Sequence, residues 1–116
     1  MRLIGVCGGR DFADVGLVNK ALHKHTVGGD VIVHGDAWGA DKLADGWAES
    51  HGHSVIRVPA IWKRHGRGAG PRRNAVIAAL PLAKLIAFPG GAGTADMVER
   101  ARQSNITVIE IEKVES

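Results

Sequence analysis

The stretch Phe88-Pro89-Gly90-Gly91-Ala92-Gly93-Thr94-Ala95-Asp96 carries the densest chemical signal in the chain. Glycine permits backbone angles that a Cβ forbids, so several N–H groups in such a run can converge on one anion. A helix opening at Thr94 adds unpaired N–H groups and about half a positive charge. Together these describe phosphate capture; the competing reading is a tight strand-to-helix connection with no ligand. Asp96 and Glu99 follow, read as lying on about the same helix face. An acid pair beside a sugar supports glycosidic cleavage, one carboxylate steadying an oxocarbenium-like centre or activating water. Two solvated surface acids are the plainer reading.

Other residues join this set. Arg73 and Asn74 stand at the expected start of a helix, from which side chains point back into a cleft, and arginine grips phosphate with two parallel hydrogen bonds. Lys63, Arg64, Arg67 and Arg72 crowd the same segment, and Arg64 and Arg67 are assigned to solvent. Gly8-Gly9-Arg10-Asp11 follows the first apolar run and reads either as a seat for a second phosphate or ribose, or as a plain turn with Asp11 near a helix start. Trp62 is placed to stack on a base, Trp38 less clearly so, and Trp47 reads as core. His34 reads as a site residue or as a satisfied core histidine. No GxxxxGK[ST] and no GxGxxG occurs, which argues against a standard ATPase or NAD enzyme. Neither a convincing metal spacing nor a Ser-His-Asp or Cys-His arrangement is present, so no metal is expected.

Elements must hold these residues in place. Leu3–Cys7 reads as the first strand. Val15, Val18 and Leu22 recur at helical spacing up to Gly28-Gly29. Val31–His34 is the second strand, and Leu43, Ala44, Trp47 and Ala48 mark a second helix ending at Gly52. Ser54–Val58 is the third strand. Residues 61–71 read as a long glycine- and base-rich loop, with Pro71 opening a third helix that Pro81 limits. Lys84–Phe88 is the fourth strand, Thr94 to about Ser104 the fourth helix, and Ile106–Ile111 a fifth strand at an edge. Strands two and four read as buried on both faces. This alternation predicts a single Rossmann-like α/β domain over residues 1–116, a mostly parallel five-stranded sheet with helices on both faces. In such sheets ligands bind beyond the carboxyl ends of the strands. The glycine clusters at Gly8-Gly9, Gly35 to Gly39, Gly66 to Gly70 and Gly90 to Gly93 all fall there.

Bulk composition narrows the class. At 116 residues, 45% hydrophobic and 23% charged, the chain is sized and composed for one globular core and not for disorder. A net charge of +3 and five aromatic residues argue against nucleic acid as the main partner. The single cysteine, Cys7, excludes an internal disulfide and suits a reducing compartment. Neither a signal peptide nor a membrane-length apolar run is visible, so the expected location is the cytoplasm.

Five motifs in order resemble a known family: Gly8-Gly9-Arg10-Asp11-Phe12, His34-Gly35-Asp36-Ala37-Trp38-Gly39-Ala40-Asp41, Ala60-Ile61-Trp62, Ala69-Gly70-Pro71-Arg72-Arg73-Asn74 and Ala87-Phe88-Pro89-Gly90-Gly91-Ala92-Gly93-Thr94. They are similar to the small YspA/YpsA-related branch of the SLOG superfamily, whose stand-alone members are often bacterial or phage proteins. The superfamily also holds the Lonely-guy phosphoribohydrolases and the DNA-processing protein DprA. The resemblance implies a Rossmann-like fold that binds a nucleotide or nucleotide-derived ligand in a sensing, sequestering or processing role. Its alternatives are cleavage of the N-glycosidic bond of a nucleoside 5′-monophosphate, and DprA-like binding of single-stranded nucleic acid.

In the Lonely-guy motif PGGxGTxEE a catalytic glutamate works with an upstream arginine. Here Arg73 matches that arginine, Asp96 stands at the first glutamate and Met97 replaces the second. Taken together, the residues and the resemblance make Arg73, Asp96 and Glu99 the expected catalytic set. Gly8, Gly9, Arg10, Gly35, Asp41, Trp62, Asn74, Gly90, Gly91, Gly93 and Thr94 are the expected ligand-binding set. A homodimer is expected, because family members commonly self-associate.

Overall fold

Hydrophobic runs punctuated by glycine and proline become a parallel sheet in the order β3-β2-β1-β4-β5. The computed structural model describes residues 1–113. Its strands are β1 (Leu3–Cys7), β2 (Val31–His34), β3 (Val55–Arg57), β4 (Leu82–Ala87) and β5 (Val108–Glu110). The helices are α1 (Val15–His25), α2 (Ala40–Ser50), α3 (Trp62–His65), α4 (Ala69–Ala78) and α5 (Ala92–Gln103). All four ladders are parallel. None of the described helices is long and apolar enough to cross a membrane.

Strand periodicity divides the core into two layers. Ile4 and Val6 of β1, Ile32 of β2 and Ile86 of β4 face α1 and α2, where they meet Val18, Leu22, Ala44 and Trp47. Cys7, Val33, Leu85 and Ala87 face the other way, against Ile77 of α4 and Met97, Val98 and Ala101 of α5. Helices therefore cover both faces. All four β2 residues are buried, as a central parallel strand requires, whereas β4 is buried at Leu82 and from Leu85 onward, with Ala83 exposed and Lys84 partly so. At the edge, β5 is only partly buried. Trp47 is core, stacked against His51 and His53. Asp14, not Asp11, caps α1 by accepting the Leu17 N–H at 3.0 Å.

Residues 61–71 are not a loop. Trp62–His65 is α3, a 3-10 turn spans Gly66–Gly68, and α4 is under way at Ala69, two residues before Pro71. The glycines that resemble linker serve as joints between short helices: Gly66 takes φ +53°, which bends the chain from α3 into the turn. Pro71 falls in the first turn of α4, where its missing N–H would have no intrahelical partner anyway. Helix α5 also starts earlier than expected, so Gly93 and Thr94 lie inside its first turn.

Candidate functional site

The strand order reverses direction between β1 and β4, and a crevice opens at that point beyond their carboxyl ends. A cleft of about 500 Å³ occupies it. Four segments wall it: Cys7 to Arg10 after β1, Gly35 to Asp41 between β2 and α2, Trp62 with the start of α4, and Gly91 to Met97 opening α5. Of the expected site residues, Gly8, Gly9, Arg10, Gly35, Asp41, Trp62, Arg73, Asn74, Gly91, Gly93, Thr94 and Asp96 line this one cleft.

Gly90 and Glu99 do not line it. They line a second cleft, of about 760 Å³, between α5 and the end of β5. Asp96 and Glu99 are neighbours on α5, about 60° apart around its axis, yet each borders a different cleft. Lys63, Arg64, Arg67 and Arg72 are exposed and line neither cleft, and Trp38 is exposed away from both.

The glycines fall into two kinds. Some are required by close backbone approach. A Cβ on Gly8 would lie 2.5 Å from Ala40 Cβ and 2.9 Å from Phe88 Cβ. On Gly39, at φ +79°, it would collide with the carbonyls of Gly9 and Arg10; on Gly90 it would collide with Thr94 Oγ1. These contacts bolt the loops together, with the Gly9 N–H donating to the Pro89 carbonyl at 2.9 Å and the Ala40 N–H donating to the Gly9 carbonyl at 3.2 Å. Gly91 and Gly93 differ, for a Cβ on either meets nothing within 4 Å. Both border the cleft.

The α5 terminus is rich in free donors. Its first internal bond runs from the Ala95 N–H to the Gly91 carbonyl at 3.0 Å. The N–H groups of Gly91, Ala92, Gly93 and Thr94 have no acceptor among the described residues, and no side chain caps the helix.

A chain of side chains joins this terminus to the far wall. Asn74, 5% exposed, donates from Nδ2 to the Gly93 carbonyl at 3.2 Å and to Asp96 Oδ2 at 2.9 Å. Its Oδ1 accepts from Arg73 Nε at 2.9 Å. Arg73 Nη1 donates to the Gly35 carbonyl, leaving Nη2 with no partner among the described residues. Arg100 Nε closes the other end on Asp96 Oδ2 at 2.9 Å. Asp96 is therefore a fixed carboxylate. Arg100 was not among the expected site residues, although its i,i+4 spacing from Asp96 is a readable pairing signal.

On the opposite wall, Asp41 Oδ2 accepts the N–H groups of Gly35 at 3.0 Å and Ala37 at 3.2 Å. Burial pushes its carboxyl above the usual range, opposed by those bonds and by the charge of Arg73. Burial likewise lowers Arg73, against the pull of Asp41. Cys7, on the floor, is pushed up to about 12 by burial, so its thiol stays protonated and unreactive at neutral pH. His34 is a satisfied core residue: Nδ1 accepts the Asp36 N–H at 2.9 Å, which leaves Nε2 to donate to Asp45 Oδ2 at 2.6 Å. At the rim the Arg10 guanidinium lies over the Trp62 ring, 5.0 Å from its centroid.

A family model described as the YspA, cpYpsA-related SLOG family matches residues 2–65, from β1 through α3. Gene 61 protein of Mycobacterium phage D29 is 34% identical over 120 residues, covering 94% of this chain and 95% of that protein. The second similarity takes in the α4 and α5 walls that lie beyond the family match. No solved structure matches the chain. On the family match and the phage relative together, the chain belongs to the YspA, cpYpsA-related SLOG family.

Proposed function

We propose that the cleft between β1 and β4 binds a nucleotide or nucleotide-derived ligand, with a phosphate against the N-terminus of α5. One observation carries this: four consecutive N–H groups, Gly91 to Thr94, lack acceptors among the described residues and open on the cleft where Gly91 and Gly93 have no steric neighbour. An anion satisfies such donors and the helix dipole together. The free Nη2 of Arg73 supplies a charge-assisted contact from across the cleft. Trp62 offers a stacking face for a base, with Arg10 already on that ring as a cation. Membership of the SLOG family fits a nucleotide-related role.

Isothermal titration with nucleoside mono-, di- and triphosphates tests the reading. Binding should be measurable, and ligand at about 100 times its Kd should raise Tm by roughly ten degrees or more. Absence of both heat and thermal shift across the series rejects it.

N-glycosidic cleavage is the second reading, favoured by one observation. Asp96 is fixed by Asn74 and Arg100 one turn from the phosphate cradle. Glu99, three residues on, lines the other cleft and does not join it there. Free base released in the titrated samples would make Asp96 the acting group; intact nucleotide leaves binding as the function.

A further inference from the structure

The wall facing α5 ends in an acceptor the protein does not use. Asp41 is 6% exposed and lines the cleft. Both of its backbone bonds fall on Oδ2; Oδ1 has no partner among the described residues. No sealed side-chain oxygen among those residues lacks a partner, so Oδ1 keeps a face open to solvent, and Asp41 borders the cleft. A ligand that displaces water from such an oxygen without supplying a donor of its own loses about 1–3 kcal/mol.

The cleft is polarised. Donors converge at α5, and a negative acceptor waits at α2. Strands β2 and β4 flank β1, so their ends stand two strand spacings apart, about 10 Å. A phosphate held at α5 is repelled by Asp41, and what reaches Asp41 is the neutral part of the same molecule.

Resting on the nucleotide reading above, we infer that Asp41 Oδ1 is a specificity determinant that accepts a hydrogen bond from a neutral donor of the bound nucleotide, a sugar hydroxyl or a base amino group.

Asp41→Asn isolates this contact. Its carbonyl oxygen can still take the Gly35 and Ala37 N–H groups, while an NH₂ donor replaces the cleft-facing acceptor. Wild type and variant are titrated with the four common ribonucleoside 5′-monophosphates, their 2′,3′-dideoxy counterparts and inosine 5′-monophosphate. A charge-assisted bond of this kind makes wild type bind at least one donor-bearing member about tenfold or more tighter than its donor-lacking counterpart, and Asp41→Asn erases that preference. A preference between ribo and dideoxy members identifies the hydroxyl; a preference for amino-bearing bases over uridine and inosine identifies the amine. Equal wild-type binding across the series overturns the inference and leaves the phosphate reading standing. So does an unchanged preference in Asp41→Asn, or an equal loss for every member. Binding of no member overturns both readings. Should Asp41→Asn fold poorly, equal wild-type binding across the series still overturns the inference, and Asp41→Ser, which keeps an oxygen for the backbone N–H groups, carries the comparison in its place.

Discussion

Two helix N-termini meet across the cleft, and their leading segments are built from similar glycine-rich sequence. Before α2, the loop donors from Gly35 to Ala37 are spent within the protein, and at the helix start itself only the Ala40 N–H is, those of Gly39, Asp41 and Lys42 having no acceptor among the described residues. The N–H groups of Gly35 and Ala37 go to Asp41, that of Asp36 to His34, and that of Ala40 to the Gly9 carbonyl. Before α5, the four from Gly91 to Thr94 have no acceptor among the described residues. The difference lies in what each segment is given to bond with. An aspartate two residues into α2 reaches back and consumes donors that an anion could otherwise use. The aspartate of α5 sits further along, at Asp96, and is itself consumed by Asn74 and Arg100. Glycine-rich helix starts are therefore not equivalent: the segment before α2 is tied into its neighbours, whereas all four donors from Gly91 to Thr94 are left over.

Substitutions can break this contrast. Gly39→Ala should be the most damaging, since the α2 approach needs φ +79° and has carbonyls where a Cβ would go. A loss of about 3 kcal/mol or more is expected in urea unfolding. A loss within error would mean the segment is as pliable as its counterpart. Arg73→Ala should weaken nucleoside monophosphate binding about tenfold or more in calorimetry, because it removes a charged donor aimed from one wall toward the other. Unchanged affinity would confine the phosphate to α5 alone.

Acid separates the two ends by a different route. Asp45 holds His34, which holds the Asp36 N–H, and its carboxyl is kept below the usual range first by the Arg57 hydrogen bond, then by His34. A carboxyl lowered in the fold adds stability that is present above its unfolded value, about 3.9, and disappears as pH falls through the lower folded value. Asp45→Asn should therefore melt below wild type at pH 6 to 7, with the gap closing in acid. A gap independent of pH would show that packing, not charge, underpins that loop.

The smallest effect should come from Gly93→Ala. With nothing within 4 Å of its Cβ and a helical position, it should leave stability unchanged or raise it by about 0.5 kcal/mol, yet reduce ligand affinity. Reduced stability would show that Gly93 is an architectural glycine like Gly39.

Much of this fold is legible in the sequence, for a local reason. Buried parallel strands are short apolar runs, and glycine or proline ends each of them, so β1, β2 and β4 stand out without knowledge of their neighbours. Residues 61–71 mislead because glycine joints between short helices have the composition of a loop. Which glycines are packed and which are open is not written locally at all. Gly9 is filled by Pro89 and Gly90, some eighty positions away, so its role depends on how β1 and β4 pair. That Asp96 and Glu99 reach different clefts, although helix spacing makes them neighbours, depends on which flank of α5 each cleft touches.

The bond from the Gly9 N–H to the Pro89 carbonyl also bears on how the chain comes to life on the ribosome. Strands β1, β2 and β3 emerge first and can pair in that order, but the far edge of β1 stays open until β4 has been made. The start of α5 is among the later parts to be translated, and it reaches the cleft only when its segment docks beside the earliest one. A nascent chain stalled before residue 89 has three of the four walls of the cleft, so under the binding proposed above ligand capture would report that translation has passed α5.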